Sequence, residues 1–300
     1  MPPSIPWKVV FDVPCPEVAL GPHRFDVRYR ALVMGILNRT PDSFYDQGRY
    51  YDFDAFLAKA EQLVAEGADF LDVGGVKAGP GPEVTEAEEL ERVVPAVEAL
   101  VARFDLPISV DTWRASVLEA ALSAGASVGN DISGFADPGY LPTAARHGAS
   151  VVATHIRLAP RVPDPQPEYP EGVVETVVRS CAERAERARA AGIPAERIMV
   201  DAGLDLGKTP LMSLELLRAS DQLARLGFPV LLSASNKRFL GELFGLAVDE
   251  RRLASVAAHA QGIVLGCRVL RAHDVRGSRR VADLMATILE AAAVDVPAGR

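Results

Sequence analysis

Residues 32–48 read LVMGILNRTPDSFYDQG. The first six form a short apolar run, bounded by a charged segment before and turn residues after, which is how a strand buried on both faces looks. At its end the chemistry switches to Asn38, Arg39 and Thr40, then Pro41-Asp42-Ser43. Pro41 disfavours helix at Thr40, so the chain leaves the strand as an extended loop. A buried strand that releases a polar loop at its carboxyl end is how α/β proteins build sites. The pattern recurs in seven further segments, at 70–75, 108–112, 127–132, 150–155, 197–201, 229–234 and 263–270.

Helical spacing fills the intervals. Apolar residues recur every three or four places in 53–66, and Gly67 ends that segment. Thr85 with Glu88 forms a capping box for a helix running to about residue 103. Further helices are predicted at 114–124, 139–147, 172–191, 211–226, 239–244, 249–261 and 279–293. Eight apolar strands alternating with helices at roughly 30-residue intervals predict a (β/α)8 TIM barrel over residues 31–300. A doubly wound open sheet is the alternative, but it usually has fewer strands for this length, and no GxGxxG follows the first strand. Within residues 1–30, alternation at 8–13 and 25–29 brackets Pro14, Pro16, Gly21 and Pro22 and predicts an N-terminal β-hairpin capping the closed end of the barrel. The segment 157–170 carries five prolines and reads as a mobile or semi-rigid excursion.

Composition narrows the function classes. Net charge is −8 and the sequence pI is near 5.3, with no basic cluster long enough for a nucleic-acid face. The three cysteines, Cys15, Cys181 and Cys267, are widely spaced and show no metal-ligand grouping. The amino terminus has no apolar signal core and no uncharged run spans a bilayer, so the chain reads as cytoplasmic and soluble.

In a barrel of this kind the site lies at the carboxyl ends of the strands. The polar residues there are Asn38, Asp72, Asp111, Asn130, Asp131, His155, Asp201, Lys237, Arg271 and His273. Asp72, followed by two glycines, is either a site residue or a cap on backbone donors. His155 is either a ligand or a packing histidine. Asp111 and Asp201 close apolar runs and demand polar partners, from the protein or from a ligand. Together, Asp111, Asn130 and Asp201 offer acceptors and an amide, complementary to a flat nitrogen-rich heterocycle. Lys237, Arg271 and His273 offer cationic donors for an anion. Asn38 offers an oxygen to a hard cation such as Mg²⁺.

These residues resemble the dihydropteroate synthase family of pterin-binding barrels. The resemblance rests on MGILNRTPDSF (34–44), Asp72-Val73-Gly74-Gly75, Ser109-Val110-Asp111-Thr112, Asn130-Asp131-Ile132-Ser133-Gly134, the stretch 201–208 and Arg271-Ala272-His273-Asp274-Val275. In that family an aminobenzoate attacks the methylene carbon of a dihydropterin diphosphate, giving dihydropteroate and diphosphate. The resemblance implies pterin binding by Asp111, Asn130, Asp201, Lys237 and Arg271, diphosphate binding by Asn38, Arg271 and His273, and Mg²⁺ at Asn38. It assigns no catalytic residue outright, with Lys237, Arg271 and His273 the candidates. It also implies a homodimer, with the late helices 253–261 and 281–293 offering apolar faces, and two mobile loops, 39–52 and 76–86, closing over the diphosphate. Carbon–oxygen ionisation comes first, so the site must stabilise departing negative charge.

The second loop departs from the family. The usual Glu-Ser-Thr-Arg-Pro-Gly after Asp-Val-Gly-Gly is here Val76-Lys77-Ala78-Gly79-Pro80-Gly81. Lys77 lies two places early and does not imitate a bidentate guanidinium. Asp205 replaces a glycine beside the acceptor-amine pocket, Leu206 replaces an aromatic and Asn236 replaces an arginine. Thr154 stands for a methionine, and Arg39 stands where the first loop has a small apolar residue. Losing one preorganised charge-stabilising donor costs about 10²–10³ in rate. The changes resemble those of a divergent second paralogue in actinobacteria that lacks synthase activity. The expectation is a partly retained pterin pocket with absent or strongly impaired synthesis. The alternatives are an active synthase using Lys77 and Arg39, a pterin-dependent methyltransferase on the same barrel, and a non-catalytic binding or structural role.

Overall fold

The computed structural model describes residues 13–39, 52–79 and 81–294. Eight parallel strands close into a barrel: β3 (Leu32–Asn38), β4 (Phe70–Gly74), β5 (Ile108–Asp111), β6 (Val128–Asp131), β7 (Ser150–Thr154), β8 (Ile198–Asp201), β9 (Val230–Leu232) and β10 (Cys267–Ala272), which returns to β3. Around them lie α1 (Phe53–Ala65), α2 (Glu86–Arg103), α3 (Ala115–Ser123), α4 (Tyr140–Arg146), α5 (Val173–Ala190), α6 (Pro210–Arg218), α7 (Ser220–Ala224), α8 (Arg238–Phe244), α9 (Arg252–Val264) and α10 (Val275–Val294). Among the described residues no helix is long and apolar enough to cross a membrane.

Strand alternation sorts side chains into two cores. Outward residues such as Val33, Leu71, Val110 and Val151 pack under the helices. Inward residues Met34, Phe70, Val128, Val152, Met199, Leu231 and Val269 fill the barrel. A two-stranded antiparallel sheet, β1 (Glu17–Leu20) with β2 (His23–Asp26), closes the amino-terminal end. Its Val18 and Leu20, with Val27, complete the interior cluster, and Ser150 Oγ donates to Ala19 O at 2.5 Å. The plug closes the amino-terminal end and leaves the carboxyl end of the barrel to a ligand.

The hairpin is present, but its arms differ from the expected ones. Most of the expected first arm, 8–12, lies outside the described residues; Val13 is not in a strand, and Phe25 pairs with Val18. The eighth strand also moves. Ile263 and Val264 finish α9, Gly266 turns at φ +95°, and the strand begins at Cys267. The apolar run from Ile263 to Leu270 carries no polar residue to mark that boundary before Arg268. The expected helix 211–226 is broken at Ala219 (φ −102°, ψ 17°), where Ser220 Oγ bonds back to Leu217 O at 2.9 Å. The final helix begins at Val275, one turn earlier than its apolar spacing indicates.

Candidate functional site at the barrel mouth

Register places the polar residues on one level. Asn38 pairs with Gly74, Gly74 with Asp111 and Asp111 with Asn130; further round, Thr154 pairs with Asp201. Phe70, Val128, Val152, Met199 and Val269 face inward, so Asp72, Asn130, Thr154, Asp201 and Arg271, two places on, face inward one layer higher.

Asp72 is the hub of this layer. It is fully buried and accepts from Ser109 Oγ at 2.6 Å, Asn130 Nδ2 at 3.1 Å and Arg271 Nε at 2.7 Å. Arg271 also donates through Nη2 to Asp111 Oδ2 at 2.8 Å, so one guanidinium spans two carboxylates. Burial pushes the Asp111 carboxyl up to about 7 against the opposing pull of Arg271, with Asp72 and Glu89 adding to the rise. Asn38 Oδ1 and Asp111 Oδ2 both flank Gly74, at 3.3 and 3.9 Å from where a Cβ would stand. Any side chain at Gly74 therefore crowds this corner.

Asp201 closes the opposite wall. Gly203 N–H donates to its Oδ1 at 2.9 Å. Burial raises its pKa, opposed by that bond and by the charges of Lys237 and Lys208. Lys237 is thus set toward Asp201, at the N-cap of α8. His273 lies beside Ser235, whose hydroxyl accepts from His273 N–H at 3.1 Å and meets its Nδ1 at 3.0 Å. Burial, with the charges of Arg271 and Lys237, pushes the imidazole down to about 3. That shift favours the neutral imidazole, which can still donate a hydrogen bond to an anion.

Two of the polar strand-end residues turn away. Asp131 accepts from the N–H groups of Ser133 (2.6 Å) and Phe135 (2.8 Å), which holds the turn after β6. His155 points behind β7, where Lys208 Nζ meets its Nδ1 at 2.9 Å and also bonds the carbonyls of Gly203 and Leu206. Burial and Lys208 push His155 down to about 2, and burial draws Lys208 down to about 7. His155 is a packing histidine that ties the β7 and β8 loops together.

Arg39 and the loop after β4 define the rim. Pro95 lies inside α2 and has no N–H for the carbonyl of Glu91 four places earlier. Arg39 Nη1 reaches that position, 3.4 Å from Glu91 O and 2.8 Å from Arg92 O, with its guanidinium 4.8 Å from the Phe53 ring centroid. The β4–α2 loop is moored by three arginines. Arg92 donates to Gly75 O (3.0 Å), Arg114 to Val84 O (2.7 Å) while paired with buried Glu89, and Arg161 of the proline-rich segment donates to Pro82 O. Of the two loops expected to be mobile, residues 40–51 of the first lie outside the described residues.

Asp205 adopts φ +69° and turns its carboxylate onto the first turn of α8, accepting from the N–H groups of Arg238 and Phe239 (3.2 Å). Its own N–H donates to Ser213 Oγ at 3.1 Å. The carboxylate is thus a helix cap supplied from a neighbouring loop. Among the described residues no cluster of three or more His, Cys, Asp or Glu side chains has a metal-binding arrangement. The hub role of Asp72 was left open by sequence, because its three donors come from β5, β6 and β10.

Comparison with known proteins agrees with this fold. The family of pterin-binding enzymes matches residues 34–273. A Mycobacterium leprae protein named inactive dihydropteroate synthase 2 is 46% identical over 264 residues, covering 86% of this chain and 91% of that protein. Dihydropteroate synthase of Bacillus subtilis is 37% identical over 270 residues, covering 89% of this chain and 92% of the relative. The crystal structure of Yersinia pestis dihydropteroate synthase with a sulfonamide drug superposes with a TM-score of 0.87 at 34% identity, covering 92% of this chain and 99% of that one.

Proposed function

This chain belongs to the family of pterin-binding enzymes, and from that premise we propose that it keeps a pterin-type pocket but makes little or no dihydropteroate. Asp111, Asn130 and Asp201 hold the edges of the heterocycle, Lys237 assists from the β9 loop, and Arg271 packs against the ring. Asp72 positions Asn130 and Arg271 from beneath.

The disposition of the cations carries the proposal. Ionising the carbon–oxygen bond of a dihydropterin diphosphate leaves a multiply charged anion that needs preorganised positive donors. Arg271 already bridges Asp72 and Asp111, burial holds the His273 imidazole toward its neutral form, the charge of Lys237 acts on Asp201, and Arg39 bonds the α2 carbonyls. The moored loop after β4 supplies Ala78-Gly79 where the family has threonine and arginine. The naming of the M. leprae relative as inactive points the same way.

Mg²⁺ suits this donor set only in part. Asn38 Oδ1 is one neutral oxygen, and Asp111 Oδ2 beside it already accepts from Arg271. Mg²⁺ is commonly held by one or two protein oxygens plus substrate phosphates and water. Asn38 would therefore hold Mg²⁺ only together with a diphosphate, where the ion would neutralise phosphate charge.

The test is complementation of a synthase-deletion strain, with turnover of dihydropterin diphosphate and 4-aminobenzoate by the pure protein as the second readout. The expected result is no growth without added folate end products and no product above background. Robust growth would establish an active synthase instead. We also propose a homodimer formed by α9 and α10, where Leu253 is 81% exposed and Leu284 60% exposed. Light scattering is expected to give twice the chain mass, falling to one chain mass in Leu253→Glu/Leu284→Glu.

A further inference from the structure

Thr154 ends β7 and faces into the barrel. Val152, two places earlier, belongs to the interior cluster, and Ser150, four places earlier, bonds the plug. The backbone of Thr154 is fully engaged: it pairs with Asp201 across the ladder, and its carbonyl accepts from Arg184. The hydroxyl differs. Thr154 is 1% exposed, and its Oγ1 is a buried atom without a hydrogen-bond partner. Its methyl group packs toward Gly203, 3.2 Å from where a Cβ would stand there.

The neighbouring polar groups of this layer are paired. Ser109, Asn130 and Arg271 converge on Asp72, and Asp201 has the Gly203 N–H. An orphan hydroxyl in such a layer is unfavourable, and valine would fill the same space without that cost.

We propose that Thr154 is a specificity-determining residue whose hydroxyl takes its partner from the bound heterocycle. It selects bicyclic nitrogen heterocycles that present a ring nitrogen, carbonyl or polar substituent toward β7. A 120° turn about Cα–Cβ carries the hydroxyl to another staggered position, and contact with the ligand requires that turn. The inference rests on the pterin-pocket reading and adds a contact made by this chain's own residue.

The experiment compares wild type, Thr154→Val and Thr154→Ser, titrated with 6-hydroxymethylpterin by calorimetry and melted without ligand. One neutral hydrogen bond corresponds to an affinity loss of roughly 3- to 10-fold in Thr154→Val, with Thr154→Ser near wild type. Without ligand, Thr154→Val is expected to melt at or above the wild-type temperature, because the hydroxyl it removes has no internal partner. Equal affinity of wild type and Thr154→Val overturns the proposal while leaving the pterin pocket standing. A clear drop in melting temperature in Thr154→Val also overturns it, by revealing an internal partner or a trapped water. Absence of 6-hydroxymethylpterin binding by wild type removes the pocket reading itself and this inference with it.

Discussion

Asp72→Asn tests the hub directly, because the change keeps the side-chain shape and removes the charge. Wild-type Asp72 is fully buried and accepts from a hydroxyl, an amide and a guanidinium. Asparagine can direct its oxygen to Asn130 and Arg271 and its amide N–H toward Ser109, so the geometry survives. The loss is the ionic part of the Arg271 contact. Removing one partner of a buried ion pair costs about 3–5 kcal/mol when the other charge is left alone. Asp111 still holds Arg271 at 2.8 Å. The expected cost is therefore about 2 kcal/mol for Asp72→Asn, and about 3–5 kcal/mol for Asp72→Ala, which also strands Ser109 and Asn130. For a chain of 300 residues 2 kcal/mol lowers the melting temperature by roughly 3 °C. Urea midpoints of the single variants and of a double-mutant cycle with Arg271→Met measure the coupling, expected at about 1.5 kcal/mol or more. An Asp72→Asn variant that melts within about 1 °C of wild type, with no coupling to Arg271, would refute the account of Asp72 as the residue that fixes the guanidinium.

Two further outcomes follow from the same geometry. His259 is buried, with Nδ1 3.0 Å from Ser278 Oγ, and burial pushes it down to about 4 against the pull of Asp274. A histidine whose folded pKa is depressed stabilises the fold above its unfolded value near 6.5, and that contribution is lost as pH falls toward 4. His259→Asn is expected to remove about 2 kcal/mol of the stability lost between pH 7 and pH 5, read from urea midpoints at both pH values; an unchanged pH slope would count against the assignment. Asp205 combines a helix cap with φ +69°, so Asp205→Ala loses the cap and keeps the strain, whereas Asp205→Gly loses the cap and relieves the strain. Asp205→Ala should be the less stable of the two by about 1 kcal/mol in urea midpoint, and equal stabilities would show that this turn is unstrained.

The barrel was legible because the information that builds it is local. Apolar runs of four to seven residues, each followed by a polar turn and a helical period, name the strands without reference to one another. Legibility failed where two elements share one apolar run, as at Ile263–Leu270, where the end of α9 passes into β10 through Gly266. The polar floor was legible as a set of strand-end residues, since barrel topology brings every carboxyl end to one rim. The pairing within that set was not, because the donors to Asp72 lie 37, 58 and 199 residues away along the chain. Sequence likewise gave no means of telling that Asp131 and His155 turn out of the ring while Asp72 turns in. Each lies at a strand end, and only the parity of the inward face separates them.

That parity also bears on what the changed residues do. Substitutions on the loops were read first as losses: an arginine gone after β4, another gone before Lys237, and a glycine exchanged for Asp205. The structure gives several of the arriving residues structural roles. Asp205 caps α8, and Arg39 meets the carbonyls at the Pro95 site of α2. A loop meant to close over a leaving group and reopen each turnover must exchange its bonds cheaply, whereas side chain-to-backbone bonds from three separate elements raise the cost of opening. The β4–α2 rim therefore combines the loss of anion donors with arginine moorings that resist opening. Restoring the loop cations alone, without cutting Arg114 and Arg161 from Val84 and Pro82, would return charge to the mouth but not the motion.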